Sequence, residues 1–119
     1  MQQKDFRAEV RIPVSLRTPE GLDVSCIACN LSLGGIGLEG LASVLSYNSI
    51  LKLNILLPGS ECAVDVLGRV AWSGAQGRAG VTFTDVSAIA RKELRRFLCQ
   101  KMVEEGWTVE TEEPGAGKA

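Results

Sequence analysis

Apolar and polar residues alternate along most of the chain, and this period of two is typical of β-strands with one buried face. The first run places inward positions at Val10, Ile12, Val14 and Leu16. Further runs occupy residues 27–33, 51–57, 64–72 and 79–83. Turn-forming sequences lie between runs, including Pro-Gly-Ser at 58–60 and Gly-Ala-Gln-Gly at 74–77, where a hairpin loop is expected. The pattern predicts a mainly β fold, an antiparallel barrel or sandwich of about six strands.

The spacing of the apolar residues changes after Asp85. They then recur at helical intervals, at Ala90, Leu94, Phe97, Leu98 and Met102. Such a stripe predicts one C-terminal α-helix at about residues 87–105. Asp85 or Ser87 is a suitable N-cap, and Gly106 is a suitable end, because a glycine adopts the left-handed conformation that often terminates helices.

Length and composition indicate a single domain with short ends outside it. The chain has 119 residues, of which 45% are apolar and 23% are charged, and a domain typically has about 100–150 residues. We expect residues 11–106 to form the barrel and its helix. Residues 1–10 contain few apolar anchors and predict a flexible N-terminal arm. Residues 107–119 predict a disordered acidic tail.

Charge and residue usage argue against several functions. The formal net charge is −1, whereas a nucleic-acid-binding protein needs a surplus of basic residues to neutralise phosphates. Aromatic residues make up 5% of the chain, too few for a barrel that stacks single-stranded bases. The sequence contains no histidine, so it has neither a Ser-His-Asp triad nor an imidazole metal ligand. We therefore expect a binding protein rather than an enzyme, without a metal or cofactor and without nucleic acid as a partner.

Cys26 and Cys29 have CxxC spacing, which raises the alternative of a zinc or redox site. Positions i and i+3 of an extended strand point to opposite faces, so two reduced, structural cysteines are favoured. The sequence shows no export signal and no apolar segment near the ~18 residues that span a bilayer. A cytoplasmic protein without a membrane span is expected.

The predicted helix has a basic face opposite its apolar stripe, formed by Arg91, Lys92, Arg95 and Arg96. An ordinary solvated surface is the simpler interpretation. A docking surface for an acidic partner or a membrane is the alternative.

A glycine-rich corner follows the second predicted strand. If the alternating residues Ile27, Cys29, Leu31 and Leu33 fill the core, then Asn30 and Ser32 face outward, because they are two residues apart. Their amide and hydroxyl groups would form a small hydrogen-bonding platform. Gly34 and Gly35 lack a Cβ and allow a planar ligand to approach closely. The alternative is an ordinary turn with satisfied polar side chains.

Two arginines, Arg7 and Arg11, stand at the entrance to the first strand. Guanidinium groups bind phosphate with two parallel hydrogen bonds, stack on flat rings, and donate to the O6 and N7 edge of guanine. If both arginines fold onto the platform, they suit an anionic ligand that carries purine rings.

An RxxxR motif followed after about twenty residues by [D/N]xSxxG, at the start of a β-rich domain, resembles the PilZ family of cyclic di-GMP receptors. The first motif is Arg7 to Arg11, and the second is Asn30, Ser32 and Gly35. The sequences Gly-Arg-Val-Ala-Trp at 68–72 and Gly-Val-Thr-Phe at 80–83 are similar to the late strand pair of that family. The resemblance covers roughly residues 5–104.

The resemblance implies a six-stranded antiparallel β-barrel with a C-terminal helix, which binds cyclic di-GMP on its outer surface. It assigns phosphate and guanine binding to Arg7 and Arg11, guanine contacts to Asn30 and Ser32, and an open approach to Gly35. Gly34 and Trp72 are weaker candidates for ligand contact. The position of Trp72 in the alternation favours burial, with ligand contact as the alternative.

The expected function is therefore that of a cyclic di-GMP receptor or adaptor. Ligand binding would order the N-terminal arm, and an unidentified protein effector, in motility, exopolysaccharide or biofilm control, would respond. A monomer or a weak homodimer is expected. The alternative is a protein-interaction module of the same fold that binds no nucleotide.

Overall fold

The structure, a computed structural model, describes residues 6–60 and 63–106. Its strands are β1 (Ala8–Arg17), β2 (Asp23–Leu31), β3 (Gly35–Glu39), β4 (Ile50–Ile55), β5 (Val64–Ser73) and β6 (Ala79–Val86), followed by the helix α1 (Ala88–Glu104). The strands close into a barrel in the order β1-β2-β3-β6-β5-β4, and every neighbouring pair is antiparallel. The predicted six-stranded barrel with a C-terminal helix is confirmed.

The barrel interior follows the predicted alternation in most strands. In β4, Leu51, Leu53 and Ile55 are fully buried while the residues between them are exposed. In β1, Ile12, Val14 and Leu16 are likewise buried, and exposed residues lie between them. Val10, the first predicted inward position, is only half-buried, because the register of β1 against β2 shifts between Glu9 and Ile12. Burial of apolar area at these positions stabilises the closed barrel by roughly 1.5–3 kcal/mol per large side chain.

Strand β2 departs from the predicted alternation. Cys26 and Ala28 are buried, whereas Ile27 and Cys29 are only half-buried. The prediction that Ile27 and Cys29 fill the core is therefore wrong. The register between β2 and β3 shifts after Ala28, and this bulge reverses the parity, so that Leu31 is fully buried again. Period-two counting cannot anticipate an inserted residue, because a bulge leaves no mark in an alternation of this length.

Helix α1 lies where the apolar spacing predicts it. The N-cap is Ser87, whose side chain accepts a hydrogen bond from the backbone N–H of Ala90. The C-cap is Glu105, and Gly106 has a φ of 87°. The predicted stripe of Ala90, Leu94, Phe97, Leu98 and Met102 is buried. The helix therefore covers part of the barrel with its apolar face.

The first strand begins earlier than the sequence predicts. β1 starts at Ala8, which is fully buried, and Phe6 is also buried. The predicted arm boundary at residue 10 is therefore corrected: the last three residues assigned to the arm belong to the barrel, because these two side chains anchor them. Residues 1–5 and the predicted tail at 107–119 lie outside the described residues.

Cys26 and Cys29, the two cysteines with CxxC spacing, both lie in strand β2. Cys26 and Cys29 are both free thiols, and burial raises the pKa of Cys26 to about 11.

On the basic face of α1, Arg91 and Arg95 are exposed to solvent. Within the described part of the chain, no helix has the length and apolar character needed to cross a membrane.

Candidate functional site

A groove of about 370 Å³ lies on the outer surface of the barrel, across strands β2, β3, β6 and β5. One row of residues crosses it, in register from strand to strand, and reads Asn30, Gly37, Gly80 and Trp72. The complete lining consists of Arg7, Asn30, Gly34, Gly35, Ile36, Gly37, Ala71, Trp72, Gly80, Val81 and Thr82. The groove therefore brings together five of the predicted site residues, Arg7, Asn30, Gly34, Gly35 and Trp72.

Two glycines form the floor of the groove. A Cβ added to Gly37 would overlap the side-chain amide of Asn30, and a Cβ added to Gly80 would overlap the indole ring of Trp72. Asn30 and Trp72 therefore lie across these two glycines from opposite sides. The sequence analysis did not single out Gly37 and Gly80 as site residues, although Gly80 begins the Gly-Val-Thr-Phe sequence at 80–83. Their pairing across β3 and β6 becomes visible only once the strand order is known.

Arg7 forms one end of the groove. Its Nη1 donates a hydrogen bond to Asn30 Oδ1 at 2.6 Å, and Arg7 is exposed to solvent while Asn30 is half-buried. This contact holds the guanidinium beside the amide. It also leaves most of the guanidinium donors free for an incoming acceptor, since a guanidinium carries five N–H groups. The predicted convergence of Arg7 with Asn30 is present in the geometry.

Ser32 does not face outward as the alternation predicts. It is 5% exposed, and its hydroxyl accepts hydrogen bonds from the backbone N–H groups of Gly34 at 3.2 Å and Gly35 at 3.1 Å. The predicted polar platform of Asn30 and Ser32 is therefore corrected to Asn30 alone. The physical reason is that β2 ends at Leu31, so that Ser32 begins a tight turn and folds back onto it.

Removing the Ser32 hydroxyl should weaken this turn. We expect Ser32→Ala to lower the free energy of unfolding by about 1–2 kcal/mol, because the buried backbone N–H of Gly35 and the partly buried N–H of Gly34 lose their acceptor. Urea denaturation measures the change. The matched control is Ser15→Ala, at an exposed position of β1, which should stay within about 0.5 kcal/mol of the wild type. An equal effect of the two substitutions would contradict the turn-capping role of Ser32.

The two glycines of the turn have different surroundings. A Cβ at Gly35 would lie 2.7 Å from the backbone oxygen of Val81, whereas a Cβ at Gly34 would meet no atom within 4 Å. Glycine at position 35 is therefore required by the close approach of β6. The resemblance implies that Gly35 keeps the ligand approach open. In this geometry its missing side chain faces a neighbouring strand instead.

Trp72 is 53% exposed, so the interpretation that it is buried is wrong. The register of β5 against β6 shifts between Val70 and Trp72, and this bulge turns the ring outward even though its sequence position has the parity of buried Val70. An exposed indole over the glycine floor offers a flat face on which a base can stack.

Arg11 does not line the groove. Its Nη1 lies 3.2 Å from Glu39 Oε2, and its side chain is 77% exposed. Arg78 approaches the other oxygen of the same carboxylate, with Nη2 3.8 Å from Oε1. The sequence analysis singled out neither Glu39 nor Arg78, because their contact depends on β3 lying beside β6 in the barrel.

Comparisons with solved structures show the same fold. The Bacillus subtilis inhibitor of motility MotI/DgrA superposes with a TM-score of 0.73 at 16% identity, over 89% of this chain and 54% of that one. The PilZ domain of YcgR from Escherichia coli, solved with c-di-GMP, gives 0.66 at 16% identity, over 87% and 95%. MrkH of K. pneumonia gives 0.74 at 16% identity, over 88% and 51%. The chain therefore spans about half the length of MotI and of MrkH.

Comparison with curated protein sequences found no match. The model of the PilZ domain family, in contrast, matches residues 1–100, a range that contains the whole barrel and most of α1. The matched range also includes both motifs, the arginine pair at the start of β1 and the Asn-x-Ser-x-x-Gly sequence at the β2–β3 turn. The chain belongs to the PilZ domain family.

Proposed function

We propose that this protein is a receptor for cyclic di-GMP, which binds in the groove between Arg7 and Trp72, and that it is not an enzyme. The observation that carries the proposal is the arrangement of the groove. An arginine bonded to a carboxamide stands at one end, an exposed indole stands at the other, and two glycines lie between them. The YcgR PilZ domain, which has the same fold, was solved with c-di-GMP.

The groove supports recognition of guanine by three kinds of contact. Arg7 can donate two hydrogen bonds to the O6 and N7 edge of the base, which is the most common pairing of arginine with guanine. The Asn30 amide supplies both a donor and an acceptor for the remaining polar edge. The Trp72 ring provides a stacking surface, and aromatic stacking contributes roughly 1–3 kcal/mol per base.

The two phosphates require cationic partners. Arg7 and Arg11 are the candidates, since guanidinium binds phosphate with two parallel hydrogen bonds. Ser32 and Gly35 have a different part in this proposal: they hold the β2–β3 turn in shape and make no side-chain contact with the ligand. Gly34, whose exposed backbone borders the groove, stays a candidate for backbone contact.

The signal is proposed to arise at the N-terminal end of β1. Binding would reposition the guanidinium groups of Arg7 and Arg11 and the segment that precedes them, and a protein effector would recognise the changed surface. The ligand shifts this equilibrium only by its difference in affinity for the two states. Control of motility, exopolysaccharide or biofilm formation by a monomer or weak homodimer is part of this proposal.

Isothermal titration calorimetry with cyclic di-GMP tests the proposal. We expect saturable binding and a matching rise in thermal stability, equivalent to about 2.7 kcal/mol at a ligand concentration 100 times the Kd. GMP is the control ligand. It has one guanine and one phosphate, so it cannot make all the contacts that are proposed for the two guanines and two phosphates of cyclic di-GMP. The absence of heat and of any thermal shift at millimolar cyclic di-GMP would reject the proposal and favour an interaction module that binds no nucleotide.

A further inference from the structure

The Arg11 guanidinium is already occupied by an anion from the same chain. Its Nη1 contacts Glu39 Oε2 at 3.2 Å. Glu39 is the last residue of β3. It lies two residues beyond Gly37, which belongs to the floor of the groove, and buried Leu38 separates the two. Residues two apart in a strand share a face and are about 6.6 Å apart. The carboxylate therefore stands at the border of the groove, on the same outer face.

We propose that Glu39 is an internal competitor for the ligand phosphate, so that ligand binding exchanges the Arg11–Glu39 ion pair for an Arg11–phosphate pair. This inference rests on the proposed function and adds a residue to it. It explains why Arg11 points to Glu39 while Arg7 lines the groove.

The strength of the contacts permits the exchange. The Arg11–Glu39 pair has a single hydrogen bond of 3.2 Å, and the Arg11 side chain is largely exposed. An ion pair with one partner this exposed contributes little, because solvent screens the Arg11 charge and the long side chain loses entropy when it is held in one position. A phosphate that accepts two parallel hydrogen bonds from the same guanidinium binds it more strongly. Arg11 can therefore leave Glu39 when a phosphate arrives.

Arg78 makes the exchange easier. Its Nη2 lies 3.8 Å from Glu39 Oε1, so it already neutralises part of the carboxylate charge. When Arg11 turns toward the ligand, Glu39 keeps a cationic neighbour and is not left as an isolated, half-buried anion. Glu39 thereby lowers the apparent affinity of the receptor for the ligand but does not prevent binding.

The test compares the wild type with Glu39→Gln and Glu9→Gln by calorimetric titration with cyclic di-GMP. Glutamine keeps the shape of Glu39 but removes its charge, so we expect the Kd of Glu39→Gln to fall about two- to five-fold. Glu9 is the matched control. It is exposed on β1, its Cα partner Asn30 lines the groove, and it has no ion pair with any described residue. Its substitution removes the same charge from the same face without releasing Arg11.

The outcomes separate this inference from the proposed function. A Kd for Glu39→Gln that is lower than those of both the wild type and Glu9→Gln supports the exchange. Equal tightening by the two variants would show a general charge effect and overturn it, as would unchanged or weaker binding by Glu39→Gln. If the wild type binds no cyclic di-GMP, the proposed function fails and this inference fails with it. Thermal unfolding of each variant shows that the fold is unchanged.

Discussion

Arg7→Ala should weaken cyclic di-GMP binding roughly 30- to 140-fold, which corresponds to about 2–3 kcal/mol. Among the described residues, Arg7 is the cationic side chain in the lining of the groove, so its charge-assisted hydrogen bonds to a guanine edge have no replacement in that lining. The substitution also frees Asn30 Oδ1 from its 2.6 Å hydrogen bond, so that the amide loses its fixed orientation. Calorimetric titration measures the Kd, and circular dichroism shows that the barrel is intact, because Arg7 is exposed.

Arg17→Ala is the matched control for this substitution. Arg17 is the last residue of β1, the strand that begins directly after Arg7, and it therefore lies far from the groove. Its guanidinium donates hydrogen bonds to both carboxylate oxygens of Asp23, at 2.8 and 3.1 Å. It removes an equal charge from the protein, so a long-range electrostatic contribution would act on both variants. We expect Arg17→Ala to bind with nearly the wild-type Kd. If the two variants lose affinity to the same extent, Arg7 has no direct contact with the ligand.

The helix and the strands other than β3 were predictable because each has one face in the core. Strand β3, in which Gly35 to Leu38 are all buried, has no alternation and was not among the predicted runs. Leu51, Leu53 and Ile55 alternate without interruption, and the helix stripe from Ala90 to Met102 keeps its spacing for three turns. In such segments one face of the helix or strand is buried. The residues on that face are apolar, so the spacing of apolar residues indicates the conformation. Local periodicity alone predicts a mainly β fold with one C-terminal helix, whereas the choice of a barrel over a sandwich came from the family resemblance.

The site was predictable in its residue types but not in its orientations. Ser32 and Trp72 were both assigned to the wrong side of the chain, one outward and one inward. Each error arises at an irregularity, either the end of β2 or the bulge after Val70. Irregularities of this kind change parity by one residue, and a one-residue shift moves a side chain to the other face. Functional surfaces collect such bulges, so alternation is least reliable where the ligand is expected.

The neighbours that come from other strands were not predictable in any form. Gly37 pairs with Gly80, and Arg78 approaches Glu39, yet no spacing in the sequence links either pair. Both contacts depend on β3 lying beside β6 in the barrel, although these two strands are not consecutive in the sequence. Charge complementarity between Glu39 and Arg78 becomes meaningful only after this order is known.

The turn glycines provide the second large effect, on stability. Gly35→Ala should lower the free energy of unfolding by about 1–3 kcal/mol, the usual cost of overpacking. The new Cβ would lie 2.7 Å from the backbone oxygen of Val81, and a backbone group in a paired strand cannot move aside without breaking the β3–β6 ladder, where Gly35 pairs with Thr82. Urea denaturation, at constant slope of the transition, measures the change.

Gly34→Ala is the matched control, since it adds the same methyl group one residue earlier. Its Cβ would meet no atom within 4 Å, and neither glycine has a φ in the left-handed region. We therefore expect Gly34→Ala to be neutral or slightly stabilising, because alanine restricts the unfolded chain more than glycine does. If both substitutions destabilise the protein equally, the loss of glycine flexibility in the turn, rather than the contact with Val81, is what the motif glycine provides. If neither does, β6 can yield at this point, and the close packing of β3 against it is not what requires glycine at position 35.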